Sequence, residues 1–138
     1  MCGIIGEYSS NNSEENFLYR CDKMSHRGPD ARGYRSLLGG KIKLGHRRLS
    51  IIDLNTRSNQ PMEIEGYVIV YNGEVYNYRE LSKKLKSKCH TTSDTEVILR
   101  TYIEQGVGVF AQLEGMFKVA IFDPREHKIM LARDRMGI

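Results

Sequence analysis

The sequence predicts an α+β domain built on antiparallel sheets, and three observations carry that prediction. The Gly39-Gly40 pair joins two strand candidates, around Gly33 to Leu38 and Lys41 to Ile52, which is a strong hairpin signal. A second hairpin is expected where Pro124 divides Phe117 to Asp123 from Lys128 to Arg133. Helical segments opened by Ser13, Asn77 and Ser93 are grouped in blocks with the strands and do not alternate strictly with them, as a parallel sheet would require.

Taken in order, residues 2 to 8 (Cys-Gly-Ile-Ile-Gly-Glu-Tyr) read as a short buried strand. Ser13 opens a helix with Glu14 and Glu15 in its first turn, where the helix dipole favours acids. Phe17, Leu18, Cys21 and Met24 follow at helical spacing on one apolar face, which explains Cys21 as a packed thiol. After the first hairpin, Tyr67 to Tyr71 is an apolar strand that Asn72-Gly73 is expected to stop. A helix should follow Asn77, with Glu80 three residues on and Leu81 and Leu85 facing inward. Ser93 and Glu96 have capping-box spacing for the next helix, whose apolar face is Val97, Ile98, Thr101 and Tyr102 and which Gly106 ends.

Composition narrows the function classes. A chain of 138 residues, read as one domain over 1–138, is large enough to bury a core. No apolar run approaches bilayer length and the N-terminus has no signal-peptide pattern, so a cytoplasmic, non-membrane protein is expected. The three cysteines, Cys2, Cys21 and Cys89, are an odd number without close spacing, which argues against both a disulfide framework and a metal site. The net charge of +4 is scattered. Its one cluster, Lys83-Lys84 with Lys86 and Lys88, reads as the solvated face of a helix, and nucleic acid is not an expected partner.

Cys2 is the first residue with chemical promise. Met1 is commonly trimmed when a small residue follows, which would place a free α-amine and a thiol on the same residue. An α-amine has a pKa of about 7.7–8.0, so near neutral pH it can take the thiol proton, directly or through water. The competing explanation is a small buried residue on a strand. Arg48, in His46-Arg47-Arg48-Leu49-Ser50-Ile51-Ile52-Asp53, offers a planar fork for a carboxylate, or an ion pair with Asp53 or another acid. In His26-Arg27-Gly28-Pro29-Asp30, Gly28 and Pro29 set a turn, and Asp30 could accept nearby backbone N–H groups. Asn72-Gly73-Glu74 supplies an amide donor and an approachable backbone N–H, able together to hold an oxyanion, although on local sequence alone a plain Asn-Gly turn is the commoner case. Asp94, next to the cap Ser93, suits either the helix dipole or a substrate ammonium.

The ordered set Cys2-Gly3-Ile4, Arg27-Gly28-Pro29-Asp30, Arg48-Leu49-Ser50-Ile51, Asn72-Gly73-Glu74-Val75-Tyr76-Asn77, Ser93-Asp94-Thr95-Glu96 and Arg133-Asp134 resembles class II glutamine amidotransferase domains. It is most similar to the N-terminal domain of glutamine-dependent asparagine synthetases. The resemblance implies a four-layer αββα sandwich of the N-terminal-nucleophile hydrolase type. It also implies that Cys2 attacks the glutamine side-chain amide to give a γ-glutamyl thioester, which water hydrolyses. Asn72 and the Gly73 N–H would form the oxyanion hole. Arg48 would hold the α-carboxylate, with the backbone of Leu49 and Ile51 close by, and Glu74 and Asp94 would receive the α-ammonium.

No cofactor or metal is implied for this domain; ATP and Mg belong to a synthetase domain or subunit that would receive the ammonia. Two positions depart from the family pattern or carry no role: Lys118 interrupts an otherwise apolar strand, and Arg47 is assigned nothing. The chain stops at Ile138, just after Arg133-Asp134. The resemblance covers nearly all of the chain but implies only about two-thirds of the family's domain, whose size is in the usual domain range. Two expectations follow: a catalytically incomplete remnant or partner-binding fragment as the alternative to an active enzyme, and an exposed sheet edge that favours poor stability or homo-oligomers.

Overall fold

A computed structural model describes residues 1–9, 11–50 and 55–138. Four strands named by the first part of the chain are β1 (Gly3–Tyr8), β2 (Ala31–Leu37), β3 (Ile42–Arg48) and the short β4 (Met62–Ile64). The remaining strands are β5 (Tyr67–Val75), β6 (Gly115–Asp123) and β7 (Lys128–Arg133). The helices are α1 (Glu14–Asp22), α2 (Tyr78–Lys84) and α3 (Asp94–Gln105), with short 3-10 turns at Thr56–Ser58 and Gly106–Ala111. All strand pairings are antiparallel, in one sheet of order β1-β3-β2 and a second of order β4-β5-β6-β7.

The alternation of side chains along each strand creates four layers. Ile42 and Leu44 of β3 face Val68 and Val70 of β5 and Ala120 and Phe122 of β6, forming the core between the sheets. Ile5 and Gly45 face the other way, toward Phe17 and Cys21 of α1. On the far side, Ile69, Tyr71, Val119 and Ile121 pack against Val97, Ile98 and Tyr102 of α3. Burying a side chain such as Ile69, Ile98 or Ile121 completely is worth roughly 1.5–3 kcal/mol. The order is therefore helix, sheet, sheet, helix, as the resemblance implied. No helix among the described residues is long and apolar enough to cross a membrane.

Both expected hairpins form, joining β2 to β3 and β6 to β7. Ser13 caps α1 by accepting from the Asn16 N–H at 3.2 Å, and Gly106 ends α3 with φ 67°. Lys118 is exposed on β6, between the buried Phe117 and Val119.

Three local expectations are corrected. Asn72-Gly73 does not stop its strand: β5 runs on to Val75, and Asn72, Gly73 and Glu74 pair with Lys118, Phe117 and Met116. The β6 ladder overrides the turn propensity of Asn-Gly. It does so through close approach, since a Cβ at Gly73 would collide with the Met116 carbonyl oxygen, and one at Gly115 with that of Glu74. Nor does the Ser93–Glu96 pair close a reciprocal box. Ser93 Oγ accepts from the Thr95 N–H at 3.0 Å, but Glu96 turns to the backbone N–H groups of His90 and Thr91 and to Arg100 Nε at 2.7 Å. Finally, α2 ends at Lys84, so Lys86 and Lys88 lie beyond it. Asn77 leaves the helix uncapped; its side chain donates to the Gln112 carbonyl at 2.8 Å and accepts from the Glu114 N–H at 3.1 Å.

Candidate active site

Cys2 lies just before β1, and β3 brings Leu49 beside it. The Leu49 N–H donates to Cys2 Sγ at 3.3 Å, and the thiol points back at the Leu49 carbonyl at 3.5 Å. Arg27 Nε donates to the Cys2 carbonyl at 3.1 Å, which ties this end of the chain to the turn after α1. Asp30 does what its turn position suggested: its carboxylate accepts the Ser50 N–H at 2.7 Å, and its own N–H donates to the Arg48 carbonyl at 3.0 Å. The segment following Arg48 is thereby held against Cys2. Gly28 is required here because a Cβ would overlap the Arg47–Arg48 backbone.

One pocket at this end of the sheets is lined by Cys2, Arg48, Leu49, Asn72, Gly73, Glu74 and Asp94, so the fold brings together seven of the eight site residues expected from sequence. The eighth, Ile51, lies outside the described residues, as does Asp53, the alternative partner for Arg48. Ser58, Gln60, Tyr71, Ser93 and Thr95, none of which had been given a site role from sequence, also line the pocket, along with Met1. Gln60 and Ser58 carry no motif of their own, although Gln60 precedes a proline and the Gln60–Pro61 bond is cis.

Each wall has a physical origin. Arg48 is on the inter-sheet face of β3, where its Nη1 donates to Asn59 Oδ1 at 2.6 Å and to the Asn55 carbonyl at 3.0 Å. These contacts orient the guanidinium. Asn72 is on the inter-sheet face of β5, and its Oδ1 is buried without a protein partner among the described residues. Glu74 is half-buried at the end of the same strand.

The N–H groups of Tyr71, Gly73 and Val75 share one edge of β5 by strand alternation, and β4 pairs only as far as Ile69. Beyond β4, side chains replace the missing strand. The Tyr71 N–H donates to Gln60 Oε1 at 2.6 Å, and the Val75 N–H to Asp94 Oδ2 at 3.3 Å. The Gly73 N–H lies between them on the pocket side.

Asp94, 5% exposed, also accepts from the Tyr71 hydroxyl at 2.7 Å. Burial pushes its carboxyl above the usual range, and the hydrogen bonds from Tyr71, Val75 and Thr95 offset part of that rise. His46, beneath the pocket, is held neutral. Burial lowers its pKa to about 4, the hydrogen bond to the Tyr71 carbonyl works against this, and nearby Arg48 adds to the lowering. A thiol, an amide, a guanidinium and two carboxylates thus converge from separate segments. That set can grip a zwitterion at both ends and place a nucleophile at a third point.

The class of protein follows from comparison with known families. The glutamine amidotransferase domain family matches residues 1–138, and the chain belongs to it. Among individual proteins it is similar over its whole length to asparagine synthetase [glutamine-hydrolyzing] 2 of Bacillus subtilis (strain 168), at 40% identity and covering 19% of that protein. It is also similar to the putative asparagine synthetase [glutamine-hydrolyzing] 2 of Methanocaldococcus jannaschii, at 35% identity and 31% coverage, and to B. subtilis asparagine synthetase [glutamine-hydrolyzing] 1, at 38% and 23%. The chain thus spans between about a fifth and a third of these relatives' lengths and corresponds to their N-terminal domain.

Proposed function

We propose that this pocket hydrolyses the side-chain amide of glutamine to glutamate and ammonia through a thioester on Cys2. The observation that carries the reading is the convergence of Cys2, Arg48, Asn72, Gly73, Glu74 and Asp94 on one pocket. Removal of Met1 creates the α-amine that takes the Cys2 thiol proton. It also removes a side chain from the pocket wall, whose open volume with Met1 present is about 70 Å³, enough for a few waters. Arg48 binds the substrate α-carboxylate, with the Leu49 and Ile51 backbone alongside, while Glu74 and Asp94 take the α-ammonium.

With the substrate so placed, the thiolate sulfur attacks the amide carbon. The C–O π electrons move onto oxygen, where the Asn72 side-chain N–H and the Gly73 N–H stabilise the charge. Collapse expels ammonia, which takes the proton held on the α-amine, and leaves the γ-glutamyl thioester. Water, deprotonated by the same amine, then releases glutamate and the thiol. No cofactor enters this half-reaction.

The ammonia is consumed by an ATP- and Mg-dependent amide-forming synthetase domain or subunit, asparagine synthesis being the leading acceptor reaction, in the cytoplasm. Intact-mass spectrometry for loss of Met1, followed by incubation with a diazo-ketone glutamine analogue, tests the reading. One adduct on Cys2 of the processed chain is expected. A processed chain that forms none is a remnant and the reading fails.

A further inference from the structure

Tyr71 is bound at three points. Its N–H donates to Gln60 Oε1 at 2.6 Å, its carbonyl accepts from His46 Nε2 at 3.1 Å, and its hydroxyl donates to Asp94 Oδ2 at 2.7 Å. The first two bonds replace strand partners that β4 does not supply, since its pairing with β5 ends at Ile69. Gln60 passes the restraint on to α3, its Nε2 donating to Thr95 Oγ1 at 3.2 Å. The Tyr71 N–H, through Gln60, and the phenol are therefore both tied to the first residues of α3. Tyr71 is 3% exposed.

We propose that Tyr71 is the positioning residue for the ammonium anchor: its hydroxyl fixes the orientation of the Asp94 carboxylate and favours its charged form, so that the pocket discriminates for a free α-amine. The inference rests on the reading of Asp94 as an ammonium anchor. The Tyr71 hydroxyl and the Val75 N–H both occupy Asp94 Oδ2, and together they leave that carboxylate one orientation toward the pocket that it lines. A phenol that donates to a buried carboxylate stabilises the anion, and an anion is what a substrate ammonium needs. The other ionisable groups around Asp94 are Arg48 from β3, Glu74 from β5 and Cys2 with the chain's N-terminus, while His46 sits behind Tyr71 and Glu96 follows on α3. Removing the hydroxyl alone changes none of these.

The test is equilibrium binding by calorimetry in a Cys2→Ala background, which stops turnover, between pH 4.5 and 8. Two probes are compared: glutamine, and glutaramate, which keeps the carboxylate and the amide but lacks the ammonium. Tyr71→Phe should weaken glutamine about three- to tenfold, leave glutaramate within twofold, and move the acidic limb of glutamine binding to higher pH. Equal weakening of both probes, or an unmoved limb, overturns the proposal and leaves Tyr71 a structural residue. Asp94→Asn separates the two levels of the reading. If it weakens glutamine but not glutaramate while Tyr71→Phe does nothing, only the positioning role falls. If it leaves glutamine unaffected, the ammonium-anchor reading falls and this one with it.

Discussion

The Leu49 N–H points at Cys2 Sγ across 3.3 Å, so the nucleophile candidate lies against a strand end that is 47 residues away in sequence. The hydrogen bond orients the sulfur while leaving Cys2 on a pocket wall. The other two thiols are placed differently. Cys21 is fully buried, and burial raises its pKa, with Asp22 adding to the rise; burial followed by Glu96 raises that of Cys89. Brief iodoacetamide treatment at pH 7.5 should label Cys2 first, Cys89 more slowly and Cys21 last, read by peptide mass spectrometry.

Asn72→Ala removes one of the two proposed oxyanion donors. Loss of about 10²–10³ in kcat is expected, equivalent to about 3–4 kcal/mol, with KM for glutamine changed little. Steady-state ammonia release measures both. A variant that loses KM and keeps kcat would move Asn72 from the transition state to simple substrate binding.

Gly73→Ala should fail for a steric reason. The new methyl would overlap the Met116 carbonyl and crowd Phe117 Cα, pushing β5 and β6 apart beside the pocket. Destabilisation of about 2 kcal/mol or more is expected, visible as a lowered urea midpoint. A matching Gly115→Ala change, facing the Glu74 carbonyl from the opposite strand, should behave alike.

His46 makes folding stability sensitive to acid. Its native pKa of about 4 lies below the ordinary value of 6.5, so between these limits the unfolded chain binds a proton that the native state does not. Stability contributed by neutral His46 is therefore present above about pH 6.5 and lost as pH falls toward 4, on the order of 3 kcal/mol in all. Asp94, with its raised pKa, acts in the opposite sense, losing stability as pH rises through the acidic range. The difference between native and His46→Gln urea midpoints across pH 4–8 isolates the histidine: the variant should show the shallower fall on acidification.

Glu96 is the internal brace of the segment before α3. It accepts the His90 N–H at 2.9 Å and the Thr91 N–H at 2.6 Å, and holds Arg100, itself 8% exposed. Glu96→Ala leaves a buried guanidinium without this partner and should cost about 3–5 kcal/mol. Thermal unfolding measures the loss, and Glu96→Gln, which keeps an acceptor, should recover part of it.

Much of this architecture is local information. The Ser13 cap, the Gly39-Gly40 hairpin, the break around Pro124 and the Gly106 stop each depend on a few adjacent residues, and each forms where the sequence places it. Cys2, Arg48, Asn72, Glu74 and Asp94 were singled out in the sequence by residue type and by the resemblance that supplied their roles, and the fold brings them to one pocket. Three things needed the folded chain. Asn72-Gly73 reads as a turn in isolation and becomes strand because a ladder to β6, closed by Gly73 against Met116, outweighs local preference. Glu96 leaves its capping position because Arg100 and two loop N–H groups offer more bonds than the Ser93 N–H. Tyr71, Gln60 and His46 acquire meaning only where β4 runs out, since the unpaired strand edge that they complete is made by two segments meeting in space. Residue chemistry was written in the sequence; which donors faced which acceptors was decided by burial, which makes an unpaired polar group costly.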